Sequence, residues 1–335
     1  MRWILGALLG ACAASAVGAQ ERMQIQFAEP VSIDASPGIV QFDAYGRRFD
    51  LALQNNDRLF KALPAGSQAK LSLRTPLRGK LPDAPGSWVR LARVGNSLEG
   101  AIWDGHELYV VTRHERIASN LTLPLAVAPG QTVIYRLSDT LHGLPAEFCG
   151  VTPDLPQSKM TPGSGVGTTA LEKYENVIRE LRAGSALASP TDQLEIALVA
   201  DTAFQQQYGA SSAEAMLARL NTVDGIFAEQ VGVIIVPAQF HLVPVGADPL
   251  TSTDAEALLR QFADYREGNP ILLAPGLAHL MTGKSLNGDT AGIAFVDALC
   301  EAREGVSLSE SNWGDFLSAL IMAHELGHNF GARHD

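Results

Sequence analysis

HELGHNFGARHD, residues 324–335, places His324 and His328 four positions apart around Glu325, with Gly331, His334 and Asp335 behind them. On a helix, positions i and i+4 lie one turn apart on one face, so both imidazoles reach a single ion about 2 Å from each ring nitrogen. Glu325 sits beside the first of them, where its carboxylate can take a proton from water at the metal without binding the ion itself. A third ligand from the next turn would crowd the first two. Gly331 can adopt a left-handed conformation that ends the helix and swings His334 back toward the ion. Three histidines leave a tetrahedral Zn²⁺ one open position, the arrangement of a catalytic site. With eight histidines in the chain, H-E-x-x-H arises by chance in about one such sequence in a hundred. Requiring Gly331, His334 and Asp335 at their offsets lowers that by roughly four orders of magnitude.

Upstream of the motif, Asn312 or Ser311 can cap the helix, Asp315 falls in its first turn, and Phe316, Leu320 and Ile321 give it an inward face. LEIALVAD (residues 194–201) reads as a buried strand and VGVIIVPAQFHLV (231–243) as a second. Between them, Ser211 with Glu214 forms a capping-box signature before a helix whose Leu217, Leu220, Val223 and Phe227 share one face. Thr253 with Glu256 starts another helix. Alternating strands and helices predict an α/β back half. Residues 151–170, VTPDLPQSKMTPGSGVGTTA, have no apolar period and read as a linker, followed by a short charged helix, LEKYENVIRELR, at 171–182. Before the linker, SIDASPGIVQFDAYGRRFDLALQ (32–54) and SWVRLARVGNSLEGAIWDGHELYVVTRH (87–114) alternate apolar and polar residues between turn signals and predict antiparallel strands.

The chain has 335 residues, 46% apolar and 18% charged, which suits one large domain or two modest ones and excludes a disordered or membrane-embedded protein. MRWILGALLGACAASAVGAQ opens with one Arg, an apolar run over residues 4–17 and small residues at Val17 and Ala19, the pattern of a cleaved export signal, and is too short to span a bilayer stably. A lipoprotein reading, with Leu9-Gly10-Ala11 before an acylated Cys12, is the alternative. No other segment reaches the length of a membrane-spanning helix, so a secreted or periplasmic protein is expected. Residues 1–185 carry 19 Lys+Arg and 17 Asp+Glu (+2), while residues 186–335 carry 6 and 19 (−13), which sum to the chain's −11. The acidic half excludes nucleic acid as a partner and reads as a solvated surface or a steering field for basic substrates. Asn120-Leu121-Thr122 is a glycosylation sequon.

HELGHNFGARHD resembles the metzincin signature, and its trailing Asp335 resembles that of the adamalysin/reprolysin (ADAM-like) branch. LEIALVADTAFQQQYG (194–209) resembles the opening strand and helix of that catalytic domain, HLMTGKSLNGDTAGIAFVDALC (279–300) its approach to the sheet's edge strand, and FDAYGRRFDLAL (42–53) the start of a reprolysin propeptide. The resemblance implies an α/β (α+β) metzincin-like catalytic domain with a mixed, mostly parallel sheet and a long active-site helix, preceded by a β-rich prodomain. It divides the chain into a signal peptide (1–19), prodomain (20–150), linker and short helix (151–189) and the N-terminal part of the catalytic domain (190–335). It implies Zn²⁺ on His324, His328 and His334, with Glu325 as general base that passes the proton to the leaving amine. Protein or peptide substrates would lie antiparallel to an edge strand of Gly292, Ile293, Ala294, Phe295 and Val296.

EFCGVTPD (147–154) resembles the cysteine-switch segment of these prodomains, in which Cys149 would ligate the zinc, with the chain's own prodomain as inhibitor of a zymogen. Only Cys149 and Cys300 follow the leader, and pairing in an oxidising compartment would join them; two idle thiols are the third possibility. Cys300 matches a family cysteine whose disulfide partner lies beyond the third histidine. The dibasic processing site common in animal relatives is missing, with Arg179 and Arg182 the nearest basic residues. The family also places a methionine turn and a C-terminal subdomain after the third histidine. Met322 lies within the helix and cannot supply that turn, so the chain is expected to be a piece of a longer protein, with the family function belonging to the parent and the activity of this piece alone in doubt. The rival from another class is a secreted binding or adhesion protein with a vestigial zinc site.

Overall fold

A computed structural model describes residues 23–36, 39–61, 63, 74–94, 97–142, 148–151, 190–288 and 290–334. The export signal with Cys12, the linker from residue 152 with its short helix, and Asp335 lie outside the described residues. Among the described residues, no helix is long and apolar enough to cross a membrane.

The N-terminal lobe is built on period-two alternation. Its small sheet pairs β1 (Met23–Ile25) with β11 (Thr140–His142). Its main sheet runs β2 (Glu29–Pro30), β10 (Thr132–Arg136), β9 (Leu108–Arg113), β8 (Ser97–Trp103), β7 (Trp88–Val94), β6 (Arg74–Lys80), β5 (Arg47–Asn55), β4 (Ile39–Ala44) and β3 (Asp34–Ser36), antiparallel throughout. The outermost strands β2 and β3 are joined by residues 31–33, so a connection of about 14 Å at most brings the two edges together and curls the sheet. The antiparallel strands expected in residues 32–54 form, with Phe42 opposite Phe49 and a turn at Tyr45 and Gly46, both at positive φ. The curl encloses Phe42, Phe49, Leu51, Val89, Leu91, Ile102 and Val111. Alternation sends the neighbours Trp88 and Arg90 outward, yet both are buried, because a second lobe covers that face.

The second lobe holds a six-stranded sheet in the order β12 (Cys149–Val151), β16 (Gly292–Ala294), β17 (Val306–Glu310), β15 (Leu277–Thr282), β13 (Asp192–Ala200) and β14 (Val233–Leu242). Every pair is parallel except β16 with β17. One face carries helices α3 (Ser212–Ile226) and α5 (Asp315–Asn329), the other α4 (Ala255–Glu267), while α1 (Arg58–Lys61) and α2 (Thr202–Tyr208) are short. Leu217, Leu220, Val223 and Phe227 share one buried cluster with Ile196, Leu198, Met322 and Leu326, as their spacing predicts. A third cluster bridges the lobes, with Met23, Trp88 and Trp103 against Trp313, Phe316, Leu317 and Ile321 of the second lobe and Leu320 packed on its margin.

The caps differ from expectation. Asp254, not Thr253, caps α4, accepting from the Ala257 N–H at 2.9 Å. Ser211 makes no side-chain cap on α3, since Ser212 instead donates to the Gly209 carbonyl at 2.7 Å. Gly314 rather than Asn312 or Ser311 begins α5. Asn312 Nδ2 donates to the Lys284 carbonyl at 3.1 Å and Ser311 Oγ to the Thr282 carbonyl at 2.7 Å, so both polar side chains serve the loop after β15.

Candidate metal centre

Helix α5 ends as the glycine predicts. Gly331 has φ +94°, its N–H bonds the His328 carbonyl at 2.8 Å, and the Ala332 N–H bonds the Gly327 carbonyl at 3.0 Å, the paired bonds of a Schellman cap. This reversal returns His334 to the helix face. The Nε2 atom of His324 lies 3.0 Å from those of both His328 and His334, and the last two are 3.1 Å apart. His328 Nδ1 contacts the Ala332 carbonyl at 2.8 Å, which makes Nδ1 the protonated nitrogen and turns a lone pair of Nε2 toward the other two rings. Burial pushes the His324 imidazole down to about 3, aided by its two neighbours, and His334 is lowered by burial and by His328. Ring nitrogens whose lone pairs converge cannot hydrogen-bond one another, but they suit a cation.

The helix end is also tied from outside. The Asp297 and Ala298 N–H groups bond the carbonyls of His328 and Asn329 at 2.9 and 3.1 Å, and Asn329 Nδ2 donates to the carbonyls of Phe295 and Val306 at 2.9 and 3.0 Å. Asn329 belongs to the motif as quoted, yet as one polar residue between ligands it carries no signal for this role.

A fourth donor comes from the middle of the chain. Cys149 Sγ and a ring nitrogen from each of His324, His328 and His334 lie within 4.8 Å of one another. A tetrahedral ion with bonds of about 2.0–2.1 Å to nitrogen would hold three nitrogens about 3.3–3.4 Å apart, a few tenths beyond the observed spacing. Three imidazoles and one thiol form a donor set that zinc accepts, so the residues present fit this ion. Among the described residues Cys149 is buried and Cys300 exposed, and the Cys149–Cys300 disulfide considered from their number is not formed.

Cys149 arrives on β12, which pairs in parallel with β16, Cys149 opposite Gly292 and Val151 opposite Ala294. The carbonyl of Phe148 accepts the Ala291 N–H at 2.7 Å, and the Phe148 ring lies 4.9 Å from that of His324. Two expectations need correction here. The strand ends at Ala294, with Phe295 and Val296 beyond it, and it is not the edge, because residues 149–151 occupy that position and take its free backbone groups.

Glu325 is fully buried, and Cys149 Sγ donates to its Oε2 at 3.3 Å. Burial pushes the Glu325 carboxyl well above the usual carboxylate range, while the bond from Cys149 works the other way. Burial, then the charge of Glu325, raises the Cys149 thiol far above its ordinary value. Oε1 of Glu325 is buried with no hydrogen-bond partner among the described residues. Its neighbour is the backbone of Gly292, where a Cβ would stand 2.5 Å from Oε1 and 2.8 Å from both Cδ and Cγ. Gly292 therefore seats this carboxylate, a role that its reading as an edge-strand residue did not contain.

Residues 213–335 match the family model described as metallo-peptidase family M12B, reprolysin-like. The zinc metalloproteinase-disintegrin-like protein atrase-B of Naja atra is 33% identical over 111 residues, 30% of this chain and 18% of that protein. Atrase-A of the same organism is 33% identical over 103 residues, 29% and 17%. The chain thus spans less than a fifth of the length of these relatives. The solved metalloproteinase-II from Bacteroides fragilis is similar at 11% identity and a TM-score of 0.49, over 88% of this chain and 80% of that one, a likeness too loose to carry an argument. The match to the reprolysin-like M12B model thus ends on the three converging imidazoles, and it is this segment, residues 213–335, that is similar to those metallopeptidases.

Proposed function

We propose that the chain is the latent form of an exported zinc endopeptidase, with its N-terminal lobe as an inhibitory prosegment and residues 190–335 as the start of the catalytic domain. The observation that carries this reading is the convergence of Cys149 Sγ on the three imidazoles. His324, His328 and His334 would hold the metal. The chemistry a bound zinc supplies is Lewis acidity toward water and a peptide carbonyl. Glu325 accepts the proton of the attacking water and delivers it to the leaving amine. Its place on α5, one residue after His324, keeps the carboxylate beside the ligands, and Gly292 limits where it can swing.

In the latent form, Cys149 takes the position a water would need, and β12 fills the side of β16 where a substrate backbone would pair. Because β12 runs parallel to β16, its direction is opposite to that of a peptide bound antiparallel. The test is chemical displacement of the thiol. A mercurial reagent should release cleavage of a general protein substrate, chelators should abolish it, and Glu325→Gln should not show it. Peptidase activity surviving in Glu325→Gln would refute the mechanism. Zinc binding with no cleavage after displacement would favour a binding protein with a vestigial site.

A further inference from the structure

Helix α3 is buried on all sides, yet its residues facing the N-terminal lobe are polar. Asp224 is completely buried, and its Oδ2 takes Asn56 Nδ2 at 3.2 Å, Arg90 Nε at 3.1 Å and the Arg58 guanidinium, all from the N-terminal lobe. One turn earlier, Asn221 Nδ2 donates to the Leu91 carbonyl at 3.0 Å, and its Oδ1 accepts Asn56 Nδ2 at 2.8 Å. Beside Asp224, Gly225 leaves a notch. A Cβ there would fall 2.7 Å from Arg90 Cγ and 3.2 Å from the Trp88 ring, so both side chains lie directly on the helix backbone. Asp315 adds a rim contact from α5 to Arg116 at 3.1 Å.

We propose that this flank of α3 is a docking site for the N-terminal lobe that works independently of the Cys149 thiol, so that the two lobes stay together when the chain between Val151 and Pro190 is cut.

The Cys149 thiol and the polar α3 flank share no residue; the two holds meet at Ala291, within the apolar cluster, and at Phe148, packed against it. At the metal centre, β12 contributes three residue pairs to β16 and one thiol. On the α3 flank, a carboxylate has lost all contact with water and is matched by two guanidinium groups, next to an apolar cluster that includes Trp88, Trp103, Phe316 and Ile321. The division of labour follows from desolvation. The apolar cluster supplies most of the affinity, whereas the buried ions gain little net energy and penalise any partner that lacks the matching charge. The flank therefore fits one occupant, a strand presenting an aromatic residue and an arginine two positions apart, here Trp88 and Arg90 of β7, with Arg58 alongside.

The experiment uses the full chain with a specific protease sequence inserted between residues 152 and 189, cut to completion and passed over a sizing column at micromolar concentration. The unsubstituted protein and Cys149→Ser are both expected to elute as one complex. Asp224→Asn, which leaves two buried guanidinium groups facing a neutral amide, is expected to weaken association roughly 100-fold. Arg58→Ala removes a partner at the edge of the network, where its side chain is 13% exposed, and serves if Asp224→Asn does not fold. It is expected to weaken association roughly tenfold. Separation of the cut Cys149→Ser protein, or unchanged affinity in the folded Asp224 or Arg58 variant, overturns the proposal. The readout is association alone, so failure of the peptidase reading would leave this result standing, and the reverse also holds.

Discussion

Gly292→Ala isolates the contact that fixes the Glu325 carboxylate. Gly292 is not among the glycines with positive φ, so alanine fits the backbone and any cost is steric. The new methyl would stand 2.5 Å from Oε1 and 2.8 Å from both Cδ and Cγ of Glu325, against ordinary contacts beyond 3.4 Å. Rotating the carboxylate alone cannot relieve this, because Cγ is also too close. The side chain must move at its first torsions, away from a helix whose end is held by the Schellman cap and by Asp297 and Ala298, and so must leave Cys149. Overpacking of this kind costs about 1–3 kcal/mol. Urea unfolding would show it as a lower midpoint at unchanged slope, and alkylation of Cys149 should quicken as its contact to Oε2 is lost. In a Glu325→Ala background the obstructing atoms are gone, and the same substitution should cost less by on the order of 1–2 kcal/mol. Equal costs in both backgrounds, or an unchanged alkylation rate, would refute the seat.

Gly331→Ala forces a Cβ into φ +94°, which costs about 1–2 kcal/mol, and by displacing His334 it should weaken zinc binding, measured by competition with a chromophoric chelator. Added zinc should raise the melting temperature of the metal-free protein, by about 2.7 kcal/mol of stability at 100 times its Kd; His334→Ala should shift that response to higher concentration, and an identical curve would remove His334 from the ligand set. His279, wholly buried between the Ser307 and Ser309 hydroxyls at 2.8 and 2.9 Å, is pushed down to about 3 by burial. Its depressed value means a contribution present above about pH 6.5 and lost as pH falls toward 3, about 2 kcal/mol by pH 5, so His279→Gln should flatten the acid limb of the stability profile.

What the sequence makes legible follows from the range of the interactions involved. The three imidazoles and Glu325 lie within eleven residues on one helix and its cap, so helical spacing and one glycine suffice to bring them together. The alternation in residues 32–54 and 87–114 similarly marks the strands of the first lobe, because each pairs with its sequence neighbour. The caps differ from expectation because several polar residues compete at each helix start, and tertiary partners decide among them. Asn312 is drawn to the loop after β15, and Asp254 wins over Thr253 through its contact to the Ala257 N–H. The strand at Gly292–Ala294 is covered for a longer-range reason. Its covering segment, β12, lies more than 140 residues earlier, and nothing in GIAFV encodes whether that edge is free. The polar flank of α3 was invisible for the same cause. Nothing local to Asn221 and Asp224 marks them as buried, since Asn56, Arg58 and Arg90 reach them from a second lobe.

Helix α5 joins the two halves of this arrangement. Its first turns, through Phe316, Leu317 and Ile321, pack in the cluster that includes Met23, Trp88 and Trp103, while its last turn and cap hold the converging imidazoles. Departure of the N-terminal lobe would therefore do more than withdraw Cys149. It would open the apolar side of the metal-bearing helix, together with Trp313, to water and strip Asp224 of its three partners. Displacing the thiol leaves the Asp224 network in place, since β12 touches the second lobe at β16 and at the centre, with Phe148 before it on the margin of the apolar cluster. Access to the metal and release of the lobe are thus separate events with separate energies. The first is set by one sulfur atom and three strand pairs, the second by an apolar cluster and a buried carboxylate on the far side of α5.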